Sequence, residues 1–473
     1  MKKRMLSLCL SMLCAGTLLV GGCGGNAASS TQKAGQSGAV PASTTKGAAQ
    51  TEVKTTAGNS SGASGKTELT FLSWQTSYEK QNAELIQKYE ELHPNIKINV
   101  KYIGAQKSAD YLSAVDLMLM GKEKVDVVMT SSYANLIKRA SANTYIPLDD
   151  YFAKEGKKFE DSYIVDGKYN GKVYGLPSTL TFRIVLINQK MLEEAGLSVP
   201  PVTWTWDDFR EYAKKLTKGD GADKIYGSYF HNWVEYYTYG VISERDGNPL
   251  LKSETELNLD DPVISDWMKF RAAMQNDDKS LTPLSDIKSM KLDYRAQFFN
   301  GKVAMLPMGS YMLSQLNDQK NYPHDFKTTF AALPVWKGGT PGKTLGESHF
   351  YSIPTTSEHP QEAYDFIRFF TTEGEALRKV GITCAKNTDL MESVNAIIPG
   401  EDICDHKALS AVVQSKDFKI NNNTPMPTWE STLEDKFMEE CDLYMLGEQS
   451  LDETLKKAKQ ECQQIVDDGN KKK

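Results

Sequence analysis

Residues 67–130 have the sequence TELTFLSWQTSYEKQNAELIQKYEELHPNIKINVKYIGAQKSADYLSAVDLMLMGKEKVDVVMT, in which strand and helix patterns alternate. Leu69–Ser73 predicts a short buried strand, and the alternation of apolar and polar residues in Ile96–Tyr102 predicts a strand with one face in water. Val125–Met129 predicts a third, buried strand. Between these strands, apolar residues recur at helical spacing. This β-α-β-α-β order predicts an α/β fold with a parallel, doubly wound sheet.

Two aromatic residues lie just beyond the predicted strands. Trp74 directly follows the first strand, and Tyr133 comes shortly after the third. In open α/β sheets, ligands bind beyond the carboxyl ends of the strands. We therefore expect both residues near a ligand, with packing in the core as the alternative for each.

The chain beyond this stretch is long enough for a second unit. Roughly 400 residues follow the N-terminal segments described below, which is typical of two domains. Ile184–Asn188 predicts a strand that belongs to a new unit, and Thr205 predicts a helix N-cap with Asp208 three residues later. Helical patterns dominate Asp266–Met274 and Leu433–Ile465.

The N-terminal residues have the order of a secretory signal. Lys2, Lys3 and Arg4 precede an apolar run from Met5 to Val20, and Gly21-Gly22-Cys23 follows. This ending resembles the cleavage site of bacterial lipoproteins, which implies a signal peptide over 1–22 and a lipid (palmitate) on Cys23 at the cell membrane. An ordinary secreted protein is the alternative. Residues 24–66 lack aromatic residues and predict a disordered tether.

Composition excludes several other classes of protein. The net charge of -6 is well mixed along the chain, so nucleic acid is not an expected partner. The histidines are scattered, and no H-E-x-x-H or G-x-S-x-G motif occurs after the tether, so we expect no metal, no cofactor and no enzyme activity.

Four cysteines lie after the tether. We favour two disulfide pairs, Cys384–Cys404 and Cys441–Cys462, and the alternative is that all four are free buried thiols.

Several short segments together resemble the extracellular solute-binding proteins of ABC importers, in their maltodextrin-binding-like group. Each motif alone is weak, but their order and spacing match from Thr67 to about Ile465. Besides the lipoprotein site, the main segments are YGLP (174–177), AGL (195–197), TWDDF (205–209), FNGKVAM (299–305), FIRFF (366–370) and Trp429.

The resemblance implies a two-lobed, type II periplasmic-binding-protein-like fold with the ligand in the cleft between the lobes. It implies lobe one at 67–180 plus 346–395 and lobe two at 181–345 plus 396–470. Hinge crossings are expected near Thr179–Arg183 and Gly346–Phe350. Rotation at such a hinge moves each lobe as a rigid body.

The resemblance also implies which residues bind the ligand, because sugars stack on aromatic rings and bond to planar polar groups. Thr181 stands where many sugar binders have an acidic residue, and Tyr311 stands where many have Trp. By contrast, Trp206, Trp267 and Phe270 fit core packing. The expected ligand-binding residues are Trp74, Tyr133, Thr181, Trp233, Glu235, Tyr236, Asp246, Tyr311, Glu347, His349, Phe350 and Trp429.

The predicted function is capture of a mono- or oligosaccharide outside the cell by a monomer, and its delivery to ABC transporter permease subunits by hinge closure. A binding protein for a peptide or another small polar solute is the alternative within the same fold. A sensor without a permease is another. Among enzymes, the alternative is a secreted glycoside hydrolase, because its chemistry needs only a pair of suitably spaced carboxylates.

Overall fold

The computed structural model describes residues 65–104, 107–336, 339–386, 388–421 and 423–471. The predicted signal peptide and Cys23 lie outside the described residues, as does the predicted tether apart from Gly65 and Lys66. Within the described ranges, no helix is both long enough and apolar enough to cross a membrane.

Ten strands of the described chain form one sheet, and the other four form two small hairpins, β4–β5 and β8–β9. The strands are β1 (Thr67–Ser73), β2 (Ile96–Tyr102), β3 (Val127–Thr130), β4 (Lys168–Tyr169), β5 (Lys172–Val173), β6 (Leu176–Asn188), β7 (Tyr226–Ser228), β8 (Leu251–Ser253), β9 (Glu256–Leu257), β10 (Val303–Gly309), β11 (Thr328–Ala331), β12 (Lys343–Ser352), β13 (Ile382–Thr383) and β14 (Lys419–Asn421).

Helices cover both halves of this sheet, of which the first half contains β1, β2 and β3 and the second half β7, β10 and β11. They are α1 (Glu79–Leu92), α2 (Ser108–Met120), α3 (Tyr133–Ser141), α4 (Asp149–Lys154), α5 (Phe159–Ser162), α6 (Gln189–Glu194), α7 (Trp206–Leu216), α8 (Tyr239–Glu244), α9 (Pro262–Asn276), α10 (Leu284–Ser289), α11 (Tyr294–Phe299), α12 (Met312–Leu316), α13 (Pro360–Phe369), α14 (Glu375–Arg378), α15 (Leu390–Ile397), α16 (His406–Val413), α17 (Glu430–Met445) and α18 (Leu451–Lys471).

The first half of the sheet confirms the predicted parallel arrangement. β1 lies between β2 and β3 and is parallel to both, with α1 and α2 as the connections. The apolar side chains of these strands are buried. Phe71 of β1, for example, packs against the rings of Tyr351, Phe366 and Phe370. The spacing of apolar residues was sufficient to predict these strands, because each strand buries its own short run of apolar residues.

Two strands run through both halves of the sheet and pair with each other. The first part of β6 pairs antiparallel with β12, and its last residues, Arg183–Asn188, pair with β10 and β11. β12 in turn pairs with β14 at one end and with β3 at the other. The strand predicted at Ile184–Asn188 is present, as the last part of the longer strand β6. That this segment belongs to a second unit stays a prediction.

The second half of the sheet is covered by an aromatic core. Trp206 and Trp267 are fully buried, and their ring centroids lie 4.6 Å apart, which confirms the packing role expected for both. Thr205 caps α7 as predicted: its Oγ1 accepts from the backbone N–H of Asp208 at 3.2 Å, and the Asp208 carboxylate accepts from the Thr205 N–H at 2.8 Å.

The four cysteines of the described residues are buried and free, which corrects the favoured pairing. Cys384 instead has the hydroxyl of Ser348 at 3.4 Å, and Cys462 has the Leu433 carbonyl at 3.8 Å. Burial raises the pKa of the Cys384 and Cys462 thiols to about 12. These groups therefore stay protonated and act as small apolar side chains.

Candidate ligand-binding cleft

A cavity of about 610 Å³ opens where β6 and β12 pair. Its floor comes from the two strands, at Thr179–Thr181 and Glu347–His349. One wall belongs to the first half of the sheet and the other to the second half. The remaining lining residues are Trp74, Gln75, Ser77, Tyr78, Ser108, Ser131, Trp233, Tyr294, Arg295, Ser310, Tyr311, Gln315, Tyr322, Arg378, Val380, Gly381 and Ile382.

The lining residues reach the cavity because they follow the ends of strands. Trp74 and Gln75 come directly after β1, and Ser131 comes directly after β3. On the other side, Ser310 and Tyr311 come directly after β10. The placement agrees with the general rule that α/β sheets bind ligands beyond strand ends.

Aromatic rings line both walls. On one side the ring of Trp74 meets His349 edge to face, with centroids 5.2 Å apart. On the other side, Tyr294 contacts both Trp233 at 5.4 Å and Tyr311 at 6.5 Å. The Tyr311 hydroxyl donates to that of Tyr294 at 3.0 Å, which fixes both rings. Such a surface suits a ligand with flat apolar faces.

A buried arginine joins the floor to the second half of the sheet. Arg183 Nη2 donates to Glu235 at 2.7 Å and to Glu347 at 3.1 Å. Burial alone lowers the pKa of Arg183, but Glu347 and Glu235 outweigh it and hold the pKa above its ordinary value. Burial raises the pKa of Glu235, and Arg183 opposes this effect. Glu347 is the exposed member, so it can still accept hydrogen bonds from a ligand.

Two further arginines reach the cavity from opposite walls. Arg378 is almost completely buried, and its Nη1 donates to Glu375 at 2.5 Å. Arg295 lies over the Tyr294 ring at 4.4 Å, and its Nε donates to Gln315 at 3.1 Å. Neighbouring side chains therefore hold both guanidinium groups in place before any ligand arrives.

Six of the twelve predicted ligand residues line the cavity. These are Trp74, Thr181, Trp233, Tyr311, Glu347 and His349. They come from five separate regions of the chain. Strand pairing places two of them, Thr181 and Glu347, directly opposite each other.

The other six predicted residues lie away from the cavity lining. Tyr236 and Phe350 are fully buried, and the Tyr236 hydroxyl donates to the Pro307 carbonyl at 2.6 Å. Tyr133 packs against Phe350 and donates to the Lys168 carbonyl at 2.5 Å. Glu235 is 8% exposed and contacts the floor only through Arg183.

The two remaining predicted residues lie on the second half of the chain. Asp246 pairs on the surface with Lys419 at 2.6 Å and with Lys343 at 3.6 Å. Trp429 precedes α17 and packs against the apolar cluster that α17 and α18 form with the preceding helices. Closeness in sequence to a lining residue therefore does not bring a residue into the cavity, because each side chain points to only one side of the chain.

Sequence reasoning missed several lining residues, including Gln75, Tyr78, Arg295, Gln315 and Arg378. Gln75 was detectable, because it follows Trp74 at the end of the predicted first strand. Tyr78 carries no local signal beyond its place at the start of the helical pattern between the first two predicted strands. For Arg378 no local signal exists, since it lies at the end of the four-residue helix α14.

The described residues contain no cluster of His, Cys, Asp or Glu that could hold a metal ion. What the cavity offers instead is a set of aromatic rings, hydroxyls and amides, together with the imidazole of His349, the guanidinium groups of Arg295 and Arg378 and the exposed carboxylate of Glu347. This combination can hold a hydroxyl-rich molecule by stacking and hydrogen bonding.

Comparisons with known proteins agree with this geometry. Residues 73–377 match the family described as bacterial extracellular solute-binding protein. The arabinooligosaccharide-binding protein of Bacillus subtilis (strain 168) is 26% identical over 334 residues, which cover 68% of this chain and 73% of that protein.

Solved structures have the same fold. A sugar transporter from Rhizobium etli, in an open conformation, superposes with a TM-score of 0.68 at 23% identity, over 85% of this chain and 99% of that one. An ABC substrate-binding protein from Listeria monocytogenes in complex with cycloalternan has a TM-score of 0.68 at 20% identity, over 86% of this chain and 99% of the other.

Proposed function

This chain belongs to the bacterial extracellular solute-binding proteins, and on that premise we propose that it captures a sugar or short oligosaccharide and delivers it to an ABC transporter. The observation that carries the proposal is the cavity at the β6–β12 crossing. Its aromatic rings on both walls, together with Glu347 and His349 on its floor, match the needs of a saccharide. The names of two relatives, an arabinooligosaccharide-binding protein and a multiple sugar-binding protein, support the same ligand class.

The proposed mechanism is closure of two lobes around the ligand. Lobe one would comprise 67–180 and 346–395, and lobe two 181–345 and 396–470. β6 and β12 would act as the hinge at Thr179–Arg183 and Gly346–Phe350, because both strands contribute to both halves of the sheet. A ligand favours the closed state only by binding it more tightly than the open state.

The remaining parts of the proposal concern location and partners. Lipid on Cys23 would anchor the protein to the outer face of the cell membrane, with 24–66 as the tether. The match to an extracellular family and the lipoprotein-like ending at Cys23 support this placement. Permease subunits of the transporter would receive the ligand after closure. The relatives carry the names of binding proteins and not of enzymes, which supports release of an intact sugar.

The test is a titration of the protein with a panel of mono- and oligosaccharides, in which tryptophan fluorescence and calorimetry measure binding. The sugars are analysed afterwards for cleavage products. Trp74 and Trp233 lie in the cavity wall, so we expect a saturable fluorescence change and recovery of the unaltered sugar. Cleavage products would favour a glycoside hydrolase instead. Absence of binding across the panel would overturn the saccharide assignment and direct the search to peptides and other small polar solutes.

A further inference from the structure

His349 occupies a distinctive position on the cavity floor. It lies on β12 between Ser348 and Phe350, where the pairing with β6 is irregular: Ser348 opposes Leu180, but Phe350 opposes Pro177. The extra residue on β6 changes the direction of the neighbouring side chains, as β-bulges generally do. As a result, the side chains of Thr179 and His349 come within hydrogen-bonding distance of each other.

Three neighbours hold the imidazole ring in one orientation. The Trp74 ring meets it edge to face at an interplanar angle of 88°. The Nδ1 atom lies 3.3 Å from the amide nitrogen of Gln75 and 3.3 Å from the hydroxyl of Thr179. Gln75 is itself largely buried beside the ring.

These contacts favour one of the two tautomers of the neutral ring. With the Gln75 amide nitrogen facing the ring, Nδ1 accepts, because an amide NH₂ group is a donor without acceptor capacity. The Thr179 hydroxyl can donate to the same lone pair. A neutral imidazole with an accepting Nδ1 has its proton on Nε2. Among the described residues, no hydrogen-bond partner of Nε2 occurs, and the residue lines the cavity.

The surroundings of the ring also favour its neutral form. Burial lowers the pKa of His349 to about 4, with Glu347 raising it and Arg378 lowering it. The ring is therefore neutral at neutral pH, and the two nitrogens keep opposite hydrogen-bonding roles.

We propose that His349 is a specificity-determining donor, whose Nε2–H binds an acceptor oxygen of the ligand. This inference rests on the proposed saccharide-binding function, in which a hydroxyl, ring or glycosidic oxygen supplies the acceptor. The floor then combines a donor at His349 with an acceptor at Glu347, only two residues apart on β12. A ligand that presents an ammonium group toward His349 is rejected, because it would place donor against donor.

The first part of the test reads the tautomer directly. Nitrogen-15 NMR of the unliganded protein, labelled on histidine, should show the His349 proton on Nε2 at pH 7. Assignment uses the His349→Gln variant, whose spectrum lacks that signal. A proton on Nδ1 would overturn the proposal, whatever ligand the protein binds.

The second part compares two amide substitutions by calorimetry with the tightest saccharide of the panel. In His349→Gln, the amide nitrogen can reach the position of Nε2, so we expect affinity within about threefold of wild type. In His349→Asn, the amide reaches only the position of Nδ1, so we expect a loss of about tenfold, the scale of one lost hydrogen bond.

The control replaces His324, another half-buried histidine that packs against aromatic rings but lies outside the cavity lining. His324→Gln and His324→Asn should leave affinity unchanged. Equal affinities of wild type and both His349 variants would overturn the ligand contact and leave the proposed function intact. A wild-type protein that binds no saccharide would overturn the proposed function, and with it the contact.

Discussion

At the scale of single residues, Arg183 is the group on which the floor of the cavity depends. It is 4% exposed and bonds to one buried and one exposed carboxylate. Removing one partner of a buried ion pair leaves an uncompensated charge, whereas an exposed partner contributes little to stability. The two glutamates should therefore respond differently to mutation.

Arg183→Met should destabilise the protein by about 3 kcal/mol, because Glu235 is left buried without its cation. Urea unfolding of the unliganded protein measures this change. Glu235→Gln added to Arg183→Met should recover part of the loss, since it removes the buried charge. If the double variant is no more stable than Arg183→Met alone, the pairing with Glu235 is not the source of the effect.

Glu347→Gln, by contrast, should reduce ligand affinity more than it reduces stability. Its side chain is about half exposed, so we expect a loss of stability below about 1 kcal/mol. Saccharide affinity should fall about tenfold, because a charged acceptor becomes a neutral one. Calorimetry and urea unfolding of the same preparation separate the two effects. A large loss of stability with unchanged affinity would assign Glu347 a purely structural role.

His231 should make the stability depend on pH. Burial lowers its pKa to about 4, with Asp293 raising it and nearby arginines lowering it. Between pH 6.5 and pH 4 the unfolded chain therefore binds more protons than the folded protein, and stability falls as pH falls through this window. Unfolding of wild type and His231→Gln at pH 7.5, 5.5 and 4.5 isolates the contribution. The stability of wild type relative to the variant should decrease as pH falls, and a constant difference would contradict the assignment.

At the scale of secondary structure elements, the pairing of β12 with β14 requires a close approach. Gly346 follows the last residue of β12 that pairs with β14, and a Cβ atom there would lie 2.1 Å from Ile420 Cγ2. Isoleucine is stiff at χ1, so this methyl group cannot move aside without cost. The absence of a side chain at position 346 thus allows β12 to run from β14 to β6.

Gly346→Ala should therefore destabilise the protein by about 1–3 kcal/mol, the range for an overfilled core. Thermal and urea unfolding report the loss. Ile420→Ala in the same chain should restore part of it, because the clashing methyl group is removed. A double variant whose loss equals the sum of the two single losses would show that the two positions do not clash.

At the scale of the whole molecule, a hydrogen bond among the described residues links Tyr78, which lines the cavity, to Ser314 of α12. The hydroxyl of Tyr78 lies 3.2 Å from that of Ser314, although the residues are 236 positions apart. Tyr78 belongs to the proposed lobe one and Ser314 to the proposed lobe two. The contact can form only when the two walls are close, so it should favour the closed state.

Tyr78→Phe and Ser314→Ala should each speed ligand release about threefold to tenfold, the equivalent of one neutral hydrogen bond. Stopped-flow fluorescence with the bound saccharide measures the rate. The double variant should release no faster than either single variant, because both substitutions break the same contact. Independent, multiplying effects would indicate that the two hydroxyls act separately.

The sequence by itself determined the local features of this protein. The β-α-β-α-β order, the core positions of Trp206 and Trp267 and the cap at Thr205 depend on residues close together in the chain, so spacing and residue type were enough to predict them. Trp74 was detectable for the same reason, since it directly follows a strand.

The lining of the cavity was decided only by the tertiary structure. Pairing of β6 with β12 brings Thr181 opposite Glu347, and the fold brings Arg378 and Tyr78 to the same cavity. Phe350 is next to His349 in sequence and Tyr236 is three residues from Trp233, but both turn into the core. For Phe350 the physical reason is that adjacent positions of a strand face opposite sides. More generally, the cavity is assembled from segments that are distant in sequence, and no local pattern predicts how they approach one another.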